Sequence, residues 1–289
     1  MRTRQIALVL MLIPCALGAQ VEASVGRLEG DSGVVAVVAT DSARQRSHTQ
    51  RSHTVRSALR YAGVTALAAA ALMPLDATFS EMMRDPGVQD PVPLRQAASF
   101  FNAAGSPGVL ITSVGMYGVG QAIGHSRLAT IGAHATQAVI LSGAVTTLVK
   151  IGAGRQRPFV EQGDSDDFSP GRGYREGLTS FPSGHATAAF AFAAAVTEDL
   201  RESNPRLGRI VGPLLYLGAA SVGAARIYDN RHWTSDVVVG AGIGTFVGRA
   251  LVRHANENPD NWLDRQFRVV NVQPSADGGI ALSAHFTFR

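Results

Sequence analysis

Two cationic side chains stand near the middle of the sequence, where an apolar segment ends. Lys150 is followed seven residues later by Arg157, and Pro158 then disfavours continuation of a helix. Arginine can hold an oxyanion with two parallel hydrogen bonds, whereas lysine supplies a compact charge. The pair therefore indicates an anion site, although basic residues at a helix C-terminus also occur simply because they oppose the helix dipole.

A second cluster opens the next apolar segment with Ser183, Gly184 and His185. A helix N-terminus presents unpaired backbone N–H groups and so attracts anions. Ser183 can cap the helix and donate its hydroxyl group, Gly184 lets a ligand approach the backbone, and His185 can transfer a proton. A capped helix with an incidental histidine is the alternative for this cluster taken alone.

The third cluster contains Arg226, His232 and Asp236. The spacing of four residues between His232 and Asp236 predicts that both lie on one face of a helix. A carboxylate that accepts from one ring nitrogen leaves the lone pair of the other nitrogen free for nucleophilic attack. Arg226 adds another guanidinium group that can bind an anion.

In order and spacing, the three clusters resemble the motifs of the type 2 phosphatidic acid phosphatase and vanadium haloperoxidase superfamily, which includes the bacterial class A acid phosphatases. The family pattern is Lys, six residues, Arg-Pro; then Pro-Ser-Gly-His; then Ser-Arg, five residues, His, three residues and Asp. The chain departs from this pattern at one position, because Ala225 stands where the family has serine. The motif-bearing region runs from about 149 to 236.

The resemblance implies a role for each motif residue. His232 would form a phosphohistidine intermediate, Asp236 would orient His232, and His185 would protonate the leaving group. The phosphate oxygens would be held by five further residues: Lys150, Arg157, Ser183, Gly184 and Arg226. No metal and no other cofactor is implied, and the substrate would be a lipid phosphate or a soluble phosphomonoester. The alternatives are a vanadium-dependent haloperoxidase and a non-catalytic envelope protein that retains the fold.

Alanine-rich apolar segments predict the helices that would carry these clusters. The predicted helices cover 57–75, 106–124, 129–150, 183–200, 209–226 and 234–253, with a shorter one at 93–103. Alternating residues at 267–272 and 280–288 flank a turn that begins at Pro274, and this pattern predicts a hairpin. We therefore expect an all-α fold: a bundle of about six core helices with a small C-terminal β-hairpin.

Six apolar segments also raise the question of a protein that spans a membrane. The first cluster lies at the end of the third segment. If the chain began outside and every segment crossed the membrane, this cluster would be cytoplasmic, whereas an exported protein should keep its site outside. Alanine and glycine outnumber leucine in several segments, and His125, Arg127 and His134 interrupt the middle of the chain. We therefore expect a soluble or peripherally attached bundle, with an integral membrane protein as the alternative.

The first residues predict a secretory signal peptide, because Arg2 and Arg4 precede a short apolar run that ends in small residues. Cleavage would remove Cys15, the only cysteine of the chain. We expect an exported, periplasmic protein. Its predicted parts are a signal peptide (1–19), a flexible lead-in (20–56), a helical phosphatase domain (57–255) and a C-terminal extension (256–289).

Composition excludes several classes of protein. Apolar residues make up 46% and charged residues 17% of the 289, which excludes a largely disordered chain. A formal charge of +4 without a basic run along a helix does not fit a nucleic-acid partner. Only one of the 26 basic residues is a lysine, and that residue is Lys150 of the first cluster.

Overall fold

The computed structural model describes residues 57–160, 164–259, 261–268, 270–274 and 280–284. The predicted signal peptide, the predicted lead-in and the turn of the predicted hairpin lie outside the described residues. Tyr61–Arg289 form one compact unit, and the helix contacts and the candidate site lie within it.

The described residues form nine helices, and six of these have 14 residues or more. The nine are α1 (Ser57–Arg84, with a 3₁₀ turn at Met73–Leu75), α2 (Pro86–Gln89), α3 (Val92–Ala103), α4 (Val109–Ala122), α5 (Ser126–Ala153), α6 (Gly184–Ser203), α7 (Pro205–Tyr228), α8 (Thr234–Glu257) and α9 (Trp262–Arg268). A π-helical turn at Ala104–Gly108 joins α3 to α4. The expected all-α bundle is confirmed.

Local signals in the sequence set the helix ends that matter for the site. α5 ends because Gly154 adopts a left-handed conformation with φ of 60°, and its N–H bonds the carbonyl of Lys150. α6 begins at Ser183, whose hydroxyl accepts from the N–H of Ala186. α8 begins after Trp233, and the carboxylate of Asp236 accepts from the N–H of Trp233.

Glycines on α8 allow that helix to lie unusually close to α6. A Cβ atom on Gly240 would stand 2.5 Å from the carbonyl oxygen of Ser183, and one on Gly244 would stand 2.2 Å from that of Thr187. The contact four residues later on α8 is made with a residue four positions later on α6. The two helices therefore run parallel and begin at the same end of the bundle. At Gly143 and Gly218, by contrast, nothing lies within 4 Å of the position that a Cβ atom would take, apart from neighbouring residues of the same helix.

The other long helices bring their functional ends to that same place. Thr146 of α5 bonds Thr187 of α6 at 3.1 Å, so the C-terminal part of α5 lies beside the start of α6. A Cβ on Gly223 of α7 would meet Val237 of α8 at 2.6 Å, so α7 ends beside the start of α8. The ends of α5 and α7 and the starts of α6 and α8 therefore meet.

In the part of the chain that the structure describes, four helices are long and apolar enough to cross a membrane, judged by length and composition: α1, α5, α7 and α8. Large apolar side chains on α7 point away from the bundle, since Ile210, Leu214 and Leu217 are each more than 60% exposed. Such a face is unusual in a soluble monomer and suits lipid. These findings favour the integral membrane alternative over the soluble bundle that was preferred from the sequence.

The C-terminal segments pair as expected, although the first strand is shorter than predicted. β1 (Val270–Pro274) and β2 (Ile280–Ala284) form an antiparallel pair in which Val272 faces Leu282. The predicted strand from residue 267 was wrong at its start, because α9 continues to Arg268.

Candidate active site

The three sequence clusters meet at the shared end of the bundle. Lys150 at the end of α5 donates to the carbonyl oxygen of Pro182 at 2.8 Å, which joins the first cluster to the second. The N–H of Ser183 donates to the carbonyl oxygen of Asp236 at 3.0 Å, which joins the second cluster to the third. These two hydrogen bonds join residues that are 32 and 53 positions apart in the sequence.

His232 lies just before α8 and is almost completely buried, with 3% of its surface exposed. Its Nδ1 atom is 2.7 Å from the carbonyl oxygen of Ser180. A carbonyl can only accept, so Nδ1 carries the proton and Nε2 keeps a free lone pair. Burial, together with the charges of Lys150 and Arg157, lowers the pKa of His232 to about 3. The ring is therefore neutral and nucleophilic at neutral pH.

Asp236 supports His232 in a different way from the one that the spacing predicted. The expected shared helix face is wrong, because His232 precedes α8 whereas Asp236 lies in its first turn. The carboxylate oxygen is 3.7 Å from Nδ1 of His232, too far for a hydrogen bond. Asp236 accepts instead from the hydroxyl of Ser180 at 2.5 Å, and the backbone of Ser180 then accepts from the imidazole. The contact between carboxylate and imidazole is therefore relayed by Ser180.

His185 stands in the first turn of α6, half-buried. The π-helical turn packs against it, since a Cβ on Gly105 would lie 2.8 Å from the imidazole. Burial, then the charges of Arg226, Arg157 and Lys150, lower the pKa of His185 to about 4. The three cations therefore lie close enough to influence this histidine.

The cations differ in how their donors are used. Lys150 directs its ammonium group to the carbonyl oxygens of Thr179 and Pro182, at 2.5 and 2.8 Å. Arg157 bonds the hydroxyl of Thr179 at 3.0 Å. Both residues thus shape the loop that leads into α6, in addition to placing positive charge at the site.

Arg226 retains an unused donor. Its Nη1 atom donates to the side chain of Asn102 at 2.8 Å, but its Nε atom is buried without a hydrogen-bond partner. A buried cationic N–H without a partner is costly, and an anionic oxygen would satisfy it. Arg226 therefore has the geometry of an anion-binding residue.

Ser183 and Gly184 complete the predicted set at the start of α6. Ser183 is fully buried and caps the helix, as predicted, with a long contact of 3.5 Å from the N–H of Ala186. No protein atom lies within 4 Å of the position that a Cβ on Gly184 would take. The space beside Gly184 is therefore open, as the close approach of a ligand to the backbone would require.

Sequence inspection missed two fully buried charged residues at the site. Arg155 donates to Asp236 at 2.6 Å and to Asp76 at 2.8 Å. Arg155 lies among the six residues between Lys150 and Arg157, where the family pattern specifies no residue type. The sequence signal for Asp76 is that it directly follows the apolar segment 57–75, and an acid that becomes buried needs a partner. Within the described residues, no group of three His, Cys, Asp or Glu side chains is placed to hold a metal ion.

Residues 132–260, which contain all three clusters, match the family model of the PAP2 superfamily. These residues make up somewhat less than half of the chain, and over this region the chain is similar to the PAP2 superfamily. Ala225, where the family pattern has serine, is buried on α7 and lies just before Arg226.

Two curated relatives match parts of this chain. Lipid A 1-phosphatase of Porphyromonas gingivalis is 41% identical over 69 residues, which are 24% of this chain and 15% of the relative. Lipid phosphate phosphatase 1 of Arabidopsis thaliana is 31% identical over 144 residues, which are 42% of this chain and 43% of the relative. The chain therefore spans less than half the length of either relative.

One solved structure resembles this chain at low sequence identity. It is the crystal structure of a transmembrane PAP2 type phosphatidylglycerolphosphate phosphatase from Bacillus subtilis. The identity is 17%, the TM-score is 0.49, and the match covers 71% of this chain and 98% of that one.

Proposed function

We propose that the protein is a membrane-embedded phosphatase that hydrolyses lipid phosphate monoesters through a phosphohistidine formed on His232. The observation that carries this proposal is the orientation of His232: Nδ1 is tied to the carbonyl of Ser180, so Nε2 is the free nucleophile. The matched relatives are named as phosphatases of lipid A and of lipid phosphate, which supports this class of substrate.

In the first step, Nε2 of His232 forms a bond to phosphorus while the bond from phosphorus to the leaving oxygen breaks. His185 gives its proton to that oxygen, so the product leaves as a neutral alcohol. A phosphate group held among Lys150, Arg157 and Arg226 offsets their positive charge. This offset raises the pKa of His185 above its value of about 4 in the free protein and so favours the protonated acid.

In the second step, water attacks the phosphorus of phosphohistidine and the N–P bond breaks. His185, now neutral, accepts a proton from the attacking water, and inorganic phosphate is released. Charge that develops on the phosphoryl oxygens is stabilised by Arg226 Nε and by the backbone at the start of α6. Asp236 and Ser180 keep the imidazole of His232 in the reactive tautomer throughout.

A lipid substrate agrees with the surface beside the site. Phe159 is 45% exposed and stacks with the guanidinium groups of Arg157 and Arg231, at 5.9 and 5.0 Å from its ring centre. An aromatic ring between arginines suits the boundary between a phosphate headgroup and its acyl chains. The apolar faces of α1 and α7 would lie in the bilayer around this entrance.

The test is phosphate release by purified protein from a short-chain phosphatidic acid and from a water-soluble phosphoester. We expect release from both, with a higher kcat/KM for the lipid, and at least a thousandfold loss in His232→Ala. His254→Ala, which removes a histidine near the far end of α8, is the matched control and should retain activity. Equal release by His232→Ala and the wild type would refute the proposal.

Vanadate separates the phosphatase from the haloperoxidase alternative. It should inhibit phosphate release as an analogue of the pentavalent transition state. Vanadate-dependent oxidation of bromide by the wild type, without phosphate release, would instead establish the haloperoxidase. A higher kcat/KM for the soluble ester would refute a lipid as the preferred substrate, whereas the proposed phosphatase reaction would still stand.

A further inference from the structure

A buried ionic network adjoins His232 on the Nδ1 side of its ring, where a carboxylate oxygen of Asp236 lies 3.7 Å from Nδ1. It consists of Asp76 on α1, Arg155 in the loop after α5 and Asp236 on α8, with relative exposures of 1%, 0% and 0%. Asp76 lies outside residues 132–260, the region that matches the PAP2 family model. A helix outside that region therefore contributes a charged group next to the site.

Arg155 uses its whole guanidinium group inside this network. Nη1 donates to the carboxylate of Asp236 and to the hydroxyl of Ser235, at 2.6 and 2.7 Å. Nη2 donates to Asp76 at 2.8 Å and to the carbonyl of Ser165 at 2.6 Å, and Nε donates to the same carbonyl at 2.9 Å. All five N–H donors of the guanidinium thus have an acceptor, so its position is fixed from several sides.

Asp76 fixes the same region from the opposite side. Its Oδ1 atom accepts from the backbone N–H of Ser235 at 3.0 Å, and its Oδ2 atom accepts from the hydroxyl of Ser235 at 2.5 Å. Ser235 is the residue next to Asp236 in the first turn of α8. Asp76 therefore holds both the start of α8 and the guanidinium that contacts Asp236.

The network ends at the reactive imidazole. Oδ1 of Asp236 is occupied by Arg155, which leaves Oδ2 for the hydroxyl of Ser180 and the N–H of Trp233. The N–H of Ser180 also donates to the carbonyl of Arg155 at 3.0 Å. Ser180 is thus held at both its side chain and its backbone, and its carbonyl is the atom that orients His232.

We propose that Asp76 and Arg155 are positioning residues, which hold Asp236 and Ser180 so that His232 keeps its proton on Nδ1. The inference rests on the proposed function in taking His232 as the nucleophile. Both residues are buried and the donors of Arg155 are all used within the network, so neither is available to bind a phosphate. Their effect passes through two fixed contacts, from Arg155 to Asp236 and from Ser180 to His232.

Asp76→Asn is the most specific perturbation of this network. The asparagine has the same shape, but one of its two oxygen atoms becomes an NH₂ group. Whichever way the amide is turned, that NH₂ group faces a donor, either the guanidinium of Arg155 or the N–H of Ser235. Ser235→Ala is the milder second variant, because it removes one hydroxyl and leaves both carboxylates with Arg155.

Asp199→Asn is the matched control for the loss of a buried carboxylate. Asp199 is 7% exposed and forms an ion pair with His134 at 3.0 Å, in the C-terminal half of α6 away from the site. The control should reduce thermal stability as Asp76→Asn does. It should leave kcat within about twofold of the wild type, because it touches no contact of His232.

Two measurements separate positioning from general loss of structure. In Asp76→Asn we expect kcat to fall about 10- to 100-fold while KM changes less than about threefold, because the nucleophile is misaligned and the phosphate-binding groups remain. In ¹⁵N-histidine spectra we expect the wild-type His232 signal to show a protonated Nδ1 and an unprotonated Nε2. In Asp76→Asn this signal should move toward the other tautomer, and His232→Gln identifies it among the eight histidines.

The outcomes test the inference separately from the proposed function. An active wild type with an Asp76→Asn variant of unchanged kcat and unchanged His232 spectrum would overturn the inference and leave the phosphatase intact. A wild type without phosphatase activity would refute the proposed function, and the tautomer measurement would still decide the inference. If Asp76→Asn does not fold, Ser235→Ala takes its place, with a smaller shift of the same signal expected and no shift refuting the positioning role.

Discussion

The close contact between α6 and α8 predicts that a single methyl group far from the site reduces both stability and turnover. Gly244 lies eight residues after Asp236, which is about 12 Å along the helix. In Gly244→Ala the new Cβ would stand 2.2 Å from the carbonyl oxygen of Thr187 and 2.8 Å from the N atom of Ala191. Both neighbours are backbone atoms, so the helices must separate.

The size of the effect follows from that overlap. A Cβ atom needs at least about 3.0 Å, so α8 must move from α6 by roughly 0.8 Å or more. Overpacking of this kind costs about 1–3 kcal/mol, or about 2–12 °C in Tm. Because α6 carries His185 and α8 carries Asp236, a displacement near 1 Å should also lower kcat by up to about 100-fold.

Gly218→Ala on α7 is the matched control, since no atom lies within 4 Å of its Cβ position. Alanine favours helix over glycine by about 0.5–1 kcal/mol, so this variant should be slightly more stable and fully active. Thermal unfolding and steady-state kinetics of both variants form the assay. If Gly244→Ala and Gly218→Ala had the same Tm and the same kcat, close contact of α6 and α8 would not be what aligns the site.

Three further predictions concern charge and environment. Lys150→Arg should lower kcat, because a planar guanidinium cannot reproduce the contacts of the ammonium group with the carbonyls of Thr179 and Pro182; kinetics equal to the wild type would refute this. The pKa of His232 is lowered to about 3, so the folded state binds fewer protons than the unfolded state between about pH 3 and 6.5. Stability contributed by its neutral form is therefore full above pH 6.5 and is lost as the pH falls, and His232→Gln should flatten the dependence of Tm on pH in that window. The protein should remain in membranes after a salt wash and require detergent for release, whereas recovery in the soluble fraction would contradict the membrane assignment.

The sequence predicted most of the residues that meet at the candidate site, because they lie at helix ends that leave local signals. Pro158 marks the exit from α5, and Ser183 marks the start of α6. Spacing alone could not show how His232 and Asp236 interact, since the relay through Ser180 joins residues 52 and 56 positions apart. The helix-face prediction was wrong because His232 and Trp233 precede α8, so residues 232–236 form a helix cap and not a continuous helix.

The buried network and the membrane assignment needed the structure for a related reason. Asp76 and Arg155 are 79 positions apart, and no local pattern indicates which acid meets which arginine inside a bundle. In the same way, composition shows that a helix is apolar but does not show which of its residues point outward. The exposed leucine and isoleucine side chains of α7 became visible only when its buried face was known.

The central claim is that His232 carries the phosphoryl group during turnover, and rapid acid-free quenching with mass spectrometry tests it most directly. A ³²P-labelled lipid phosphate should leave label on the wild-type protein that is stable to base and labile to acid, located on the peptide that contains His232. The label should be absent from His232→Ala and present in Asp199→Asn. Label on any other residue, or undiminished turnover by His232→Ala, would contradict the account.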